Sequence, residues 1–315
     1  MTDGNLVALR GRHVLAIGLG DLGAALAEAL LAQGARVTGM RRGVQAPAGV
    51  ELIRGDAADD DALARLPADV DVAVLCLTPD AYDEAGYRRA YLAPAQAFAR
   101  RFAGSTLEHV FWVSSTAVYA QGDGLAIDET AAAAPASFRG RVLLEAEAAL
   151  RSGGVPVTAL RLSGIYGPGR TALLRRVLAG RGCAAEPPHF TNRIHRDDAV
   201  GALVFLLARA LAGARPPAVV IGSDPAPAPR HEVLAWLADR LDVSLEGPDE
   251  AGSERAPSRR LLPGVLEALG YRWRYADFRA GFAALISAME ASGELAALRA
   301  DLEDGDAGSG PLRGA

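Results

Sequence analysis

Hydrophobic and polar positions change in blocks along the first half of the chain. His13 to Ile17 is a short apolar run closed by Gly18, and Leu22 to Gln33 carries Ala and Leu at helical spacing until Gly34 stops it. Ala35 to Met40 predicts a second strand, Val50 to Ile53 a third, and Asp59 to Asp61 an acidic helix start. Val70 to Leu77 is almost continuously apolar, as in strands buried on both faces of a parallel sheet. A long helix over Asp83 to Phe102, a strand at His109 to Val113, an amphipathic helix over Arg139 to Arg151 and a strand at Val155 to Leu162 continue the series. Strands alternating with helices predict an α/β fold, a doubly wound parallel sheet of Rossmann type.

The pattern breaks after Ser163. Gly164 to Arg170 predicts a Gly/Pro turn, Thr171 to Ala179 a short helix and Arg181 to Pro188 a loop. Asp197 to Leu211 has a clear helical pattern, Ala218 to Ile221 predicts a last short strand, and Asp224 to Pro229 a stiff linker before a helix at His231 to Leu241. Glu246 to Arg260 is polar and predicts loop, with helices following at Gly264 to Leu269 and Phe278 to Ser292. Asp301 to Ala315 is acidic and glycine-rich, a composition that predicts disorder. The expected division is 1–163 with 190–224 as a dinucleotide-binding domain, 164–189 with 225–300 as a smaller, mostly helical substrate-binding region, and 301–315 as a tail.

Composition removes several chemistries. The 33 Lys+Arg residues are all arginine. A phosphate loop with a lysine, a Schiff-base lysine and a Tyr-x-x-x-Lys dehydrogenase pair are all excluded. A net charge of -5 argues against a nucleic-acid surface. Cys76 and Cys183 lie far apart, with no disulfide framework and no zinc motif, which suits a reduced, cytoplasmic setting. His189 and His195 lack metal-ligand spacing, so no metal is expected. The apolar runs are too short or too interrupted by charge to cross a membrane.

Gly18-Leu19-Gly20-Asp21-Leu22-Gly23 stands between the first strand and the first helix as a G-x-G-x-x-G loop. Gly18 allows the tight turn, Gly20 lets a pyrophosphate approach the backbone, and Gly23 permits close helix–strand packing. The helix N-terminus offers free N–H groups to the anion. At the end of the second strand, where an acid would hold the ribose 2′-OH of NAD, the chain has Arg41-Arg42. Two guanidiniums suit a 2′-phosphate, so NADP is expected, with NAD the alternative. Asp56 is placed to reach the adenine edge or to open a helix.

Val113-Ser114-Ser115-Thr116-Ala117-Val118-Tyr119 resembles the S-S-x-x-V-Y-G stretch of the extended short-chain dehydrogenase/reductases, the group of nucleotide-sugar epimerases and dehydratases. Arg161 to Arg170 (RLSGIYGPGR), Asn192 to Asp198 (NRIHRDD) and Gly270 to Tyr275 (GYRWRY) resemble three later segments of that family, in order. The resemblance implies hydride exchange with a nicotinamide, and places Leu77, Thr78, Pro79 and Ser114 against the cofactor. It makes Ser115 the catalytic hydroxyl and implies a tyrosine base whose pKa is lowered by a lysine. Aligned on Glu145 to Glu147, those two positions hold Arg139 and Leu143. The chain therefore resembles an atypical subgroup that lacks the pair.

Each remaining candidate has two readings. Tyr119 is an acid/base or a packed wall residue, because a tyrosine without a lysine stays near pKa 10. Ser115 donates to substrate or ends its strand. Arg139 holds an anionic substrate or is solvated, and Tyr166 faces the cleft or clamps the fold. Ser163 lies on the same turn, and Arg193 could meet a phosphate or carboxylate. His195 and Asp198 are expected to fix the chain crossover, with Asp197 or Asp198 as a helix N-cap. The expected function is an NAD(P)-binding, epimerase/dehydratase-like or reductase-like protein acting on a small polar, nucleotide-linked substrate through a non-standard acid/base. The alternative is a catalytically silent NAD(P)-binding sensor. The resemblance also allows a homodimer through the two long helices.

Overall fold

Seven parallel strands form one sheet, and the helices between them cover both of its faces. In the computed structural model, residues 8–247 and 257–305 are described. The strands are β1 (His13–Ile17), β2 (Arg36–Arg41), β3 (Glu51–Arg54), β4 (Val72–Leu75), β5 (His109–Ser115), β7 (Val157–Leu162) and β11 (Val219–Gly222), and their spatial order is β11-β7-β5-β4-β1-β2-β3. The short strand β6 (Leu125–Ile127) lies outside this sheet. The order reverses at β1, whose Val14 faces Val37 of β2 on one side and Val72 of β4 on the other. Such a reversal opens a crevice beyond the carboxyl ends of the strands. Strands β1, β4 and β7 are buried along their whole length, which explains their unbroken apolar runs.

On one face of the sheet, helix α1 (Asp21–Ala32) packs beside α7 (Arg196–Leu211), with Leu26, Leu30, Leu203 and Leu206 in a common core. On the other, α4 (Ala93–Phe102) and α5 (Phe138–Ser152) enclose Phe98, Trp112, Ala146 and Leu150. A third cluster, around Leu174, Leu234, Phe278 and Ile286, joins α6 (Ala172–Leu178), α8 (Arg230–Leu241) and α10 (Phe278–Ser292).

Several boundaries differ from the sequence pattern, each for a local reason. The helix expected over Asp83 to Phe102 is a short α3 (Glu84–Tyr87), a wide π turn (Arg88–Leu92) and then α4. Pro94 lies in the first turn of α4, and a proline there has no N–H to close an ordinary helical bond across the junction. Gly164–Tyr166 is a short strand, β8, paired in parallel with β10 (Arg193–His195) rather than a turn. Inside the expected loop Glu246 to Arg260, residues Arg259–Leu261 form β13 beside β6, while 248–256 lie outside the described residues. The expected disorder from Asp301 is corrected at its start. Helix α11 runs Glu294–Gly305, with Leu295 and Leu298 buried and Asp301 paired to Arg175 at 3.2 Å; residues 306–315 lie outside the described residues.

His195, not an aspartate, caps α7, its Nδ1 accepting from the Asp197 N–H at 3.1 Å. Asp198 is instead fully buried and accepts from the Arg274 and Tyr275 N–H groups and the Tyr271 hydroxyl at 2.8, 2.9 and 3.0 Å. Among the described residues no single helix is long and apolar enough to cross a membrane; only α10 and α11 together reach that composition, and they meet at 88°.

Candidate functional site

The glycine loop is shaped by three different constraints. Gly18 has φ +91°, a left-handed conformation, and a Cβ there would lie 2.0 Å from the Cys76 carbonyl oxygen. A Cβ on Gly23 would lie 1.9 Å from the Gly18 carbonyl oxygen, so α1 can approach the loop only because that atom is missing. Gly20 has nothing within 4 Å of its Cβ position. It borders open space at the helix entrance and caps α1 without a side-chain hydrogen bond. The first-turn N–H groups of a helix have no acceptor within it, and the helix dipole adds positive potential there. Asp21 is held at this entrance by Arg170 at 2.9 Å and Arg196 at 3.2 Å.

That open space continues into a cavity of about 410 Å³ along the carboxyl ends of β1, β2 and β4. Its lining includes Gly18, Leu19 and Gly20 of the loop, Arg41, Arg42 and Asp56 from the ends of β2 and β3, and Leu77, Thr78 and Pro79 after β4. Gly39 of β2 lets Leu19 pack close against the strand, since a Cβ there would overlap the Leu19 side chain. Asp80 and Arg89 complete the rim, and neither carried a signal in the sequence. Arg42 donates to Asp80 through both terminal nitrogens, one bond measuring 2.8 Å. Arg41 donates to the Gln45 carbonyl at 2.8 Å. The Asp56 carboxylate accepts from the Ala58 N–H at 2.9 Å, a turn opening the next segment.

Ser114 and Ser115 end β5 and Tyr119 follows one turn later, all three beyond this cavity's lining. Ser114 is buried and donates to Glu147 at 2.8 Å. Glu147, fully buried on α5, also accepts from Arg161 at 2.8 and 3.1 Å. Arg161 in turn donates to the Tyr119 hydroxyl at 3.0 Å and lies over its ring. Tyr119 is 2% exposed, and burial pushes its pKa up against the pull of Arg161. Its hydroxyl points into this ionic cluster. Ser115 is half-buried, and its Oγ accepts from the Ala117 N–H at 3.2 Å. Arg259 of β13 holds the same loop from outside, donating to the Thr116 and Tyr119 carbonyls, each at 2.8 Å.

At the two positions that the family resemblance aligns with a tyrosine and a lysine, Arg139 is exposed beside the Tyr87 and Phe138 rings, and Leu143 is buried in the core. Ser163, Tyr166 and Arg193 come together with Asp224 at the ends of β7, β8, β10 and β11. All four are buried, and the Ser163 Oγ, Tyr166 hydroxyl, one Arg193 terminal nitrogen and one Asp224 oxygen have no partner among the described residues. Burial lowers the Arg193 pKa and pushes Asp224 up to about 7. Arg139 stands apart from this group. Among the described residues no cluster of acidic, His or Cys side chains could hold a metal ion.

Comparison with known proteins gives a consistent picture. The family described as "NAD dependent epimerase/dehydratase family" matches residues 17–222. Protein YeeZ of Escherichia coli K12 is 31% identical over 280 residues, covering 84% of this chain and 97% of YeeZ. A solved structure from Methylobacillus flagellatus, described as a putative NAD-dependent epimerase/dehydratase, is 34% identical with a TM-score of 0.74, covering 89% of this chain and 99% of that one. Two more distant structures share the fold. The Bordetella bronchiseptica enzyme WbmG, in complex with NAD and UDP, is 20% identical with a TM-score of 0.75, over 90% and 95% of the two chains. Human epimerase family protein SDR39U1, with NADPH, is 22% identical with a TM-score of 0.70, over 87% and 98%.

Proposed function

The chain belongs to the NAD-dependent epimerase/dehydratase family, and from that premise we propose that it binds a nicotinamide dinucleotide and acts on a small polar, nucleotide-linked substrate. The glycine cradle carries this reading. Two of its glycines are pressed against backbone carbonyls, while Gly20 is left facing open space at a helix N-terminus above a 410 Å³ cavity. In this reading the adenosine takes that cavity, whose lining includes Leu19, Asp56, Thr78 and the two arginines. NADP is the proposed form, because Arg41 and Arg42 stand where an acid would favour NAD. The bound dinucleotide would supply hydride exchange at its nicotinamide ring.

The chain's own contribution is to bind, orient and polarise. Ser115 is the proposed donor to a substrate oxygen. Tyr119 serves the same loop as a positioning residue, because its hydroxyl is engaged by Arg161 within a buried cluster. Ser163, Tyr166 and Arg193 form the proposed substrate side, separate from the exposed Arg139. Proton transfer would then fall to water or to the substrate's own groups. One observation favours a second reading, a catalytically silent sensor: the lysine position is filled by Leu143, 3% exposed and packed as core.

Fluorescence titration with NADPH and NADH tests the binding reading, and failure of both to bind overturns it. Single-turnover oxidation of bound NADPH by candidate UDP-sugar ketones separates enzyme from sensor. A dinucleotide held without turnover by any of them would favour the sensor.

A further inference from the structure

The ion pair on the cavity rim bears on cofactor choice. Arg42 follows the end of β2, and Asp80 arrives from the loop after β4, so the pair spans the mouth of the cavity between two strands. It is bidentate, the arrangement in which one guanidinium fork is fully used by one carboxylate. A 2′-phosphate would use the same fork in the same way. Arg41 differs from its neighbour. It donates to a main-chain carbonyl and makes no ion pair among the described residues. Arg89 shares the rim, and its charge also acts on Asp80.

We propose that Asp80 sets dinucleotide selectivity by occupying Arg42 and by presenting a carboxylate to the ribose end of the cavity. The inference rests on the dinucleotide reading above and names the residue that tunes it. With NADPH, the 2′-phosphate can take Arg42 only if Asp80 gives it up. The released carboxylate would then face a phosphate of like charge across the rim. With NADH, Asp80 stays on Arg42, and its remaining lone pairs are free to accept from ribose hydroxyls. The acid that β2 lacks is thus supplied by β4. Arg41 remains available to a 2′-phosphate in either case. The chain therefore accepts both dinucleotides with a shallow preference, where Arg41-Arg42 alone favours NADP.

The test is the ratio of NADPH to NADH affinity, measured by titration on the full chain, its Asp80→Asn variant and its Arg41→Ala variant. The Arg42–Asp80 pair is solvent-exposed, so its loss leaves folding intact, which a thermal melt of each variant checks. Asp80→Asn is expected to raise the ratio about tenfold, with NADPH tighter and NADH weaker, and Arg41→Ala to lower it. An unchanged ratio in Asp80→Asn, with both dinucleotides still bound, overturns this inference and leaves the dinucleotide reading standing. A wild-type chain that binds neither dinucleotide overturns both.

Discussion

Glu147 is the shared acceptor of a buried cluster that ends on the Tyr119 hydroxyl. It is fully buried on α5, accepts from both Arg161 and Ser114, and has Arg151 at 3.4 Å. A buried pair of this kind adds little over apolar packing, but removing one partner strands the other charge. Glu147→Ala is expected to cost about 3–5 kcal/mol in urea unfolding, and to free the Tyr119 hydroxyl from its fixed Arg161. An exposed-residue value, under about 1 kcal/mol, would mean that the cluster is not formed. Asp224 makes a different prediction, about pH. Its burial holds the carboxyl at about 7 instead of 3.8, with Arg193 opposing that rise and Asp277 and Asp198 reinforcing it. The folded state therefore binds this proton more tightly than the unfolded chain. Stability from the group is present below about pH 4 and is lost as pH rises through 7, by about 4 kcal/mol in total. The difference in unfolding free energy between wild type and Asp224→Asn, followed from pH 4 to 8, should fall by that order. A flat difference would show that Asp224 is ionised throughout.

Local elements decide which parts of this site were legible in the sequence. The glycine loop was readable because all its requirements sit within six consecutive residues and each is steric. Gly23→Ala is accordingly expected to weaken both stability and dinucleotide binding, since a methyl 1.9 Å from the Gly18 oxygen must push α1 off β1. Wild-type affinity in a Gly23→Ala protein would contradict the cradle. Gly20→Ala is the contrasting case, with space for its methyl group in the free protein. It should fold normally and lose affinity, which separates steric packing from ligand approach. Leu143, which the family resemblance aligns with a lysine, lies on a helix face that is core. By contrast, Asp80 was invisible because its partner Arg42 is 38 residues away. Arg259 was equally hidden, lying in a polar stretch that reads as loop. It becomes strand only by pairing with Leu125–Ile127, and its guanidinium then supports the Ser115–Tyr119 loop. Local periodicity reports an element long enough to show its buried face; Asp80 lies in a loop and β13 spans three residues.

At the scale of the whole molecule, the question is how the second half of the chain senses the cavity, which is lined entirely by residues from Ile17 to Pro94. Two connections answer it. Tyr166 stacks on Phe282 with ring centroids 4.3 Å apart, and Gly281 is glycine because a Cβ there would overlap the Tyr166 hydroxyl. That contact ties α10 to the end of β8, from which the turn with Arg170 follows. The other connection is Asp21, which receives Arg170 from that same turn and Arg196 from the start of α7. An anion bound at the α1 N-terminus would sit beside Asp21 and add its charge to the pull that Asp21 exerts on both guanidiniums. Ligand binding at the glycine loop should therefore order the segment 164–170 and the first turn of α7, though neither lines the cavity. Hydrogen exchange on the full chain, with and without saturating NADPH, measures this directly: protection is expected at both segments as well as at the loop. Binding at a hundredfold excess over Kd stabilises any native state globally by about 2.7 kcal/mol, so the comparison must be made against α8, which has no route to the site through Asp21. Asp21→Ala removes an exposed carboxylate at little cost to folding. If the route is real, the variant keeps protection at the glycine loop on binding and loses the excess at 164–170 relative to α8. Equal protection of that segment in both proteins would mean that Asp21 is not the link.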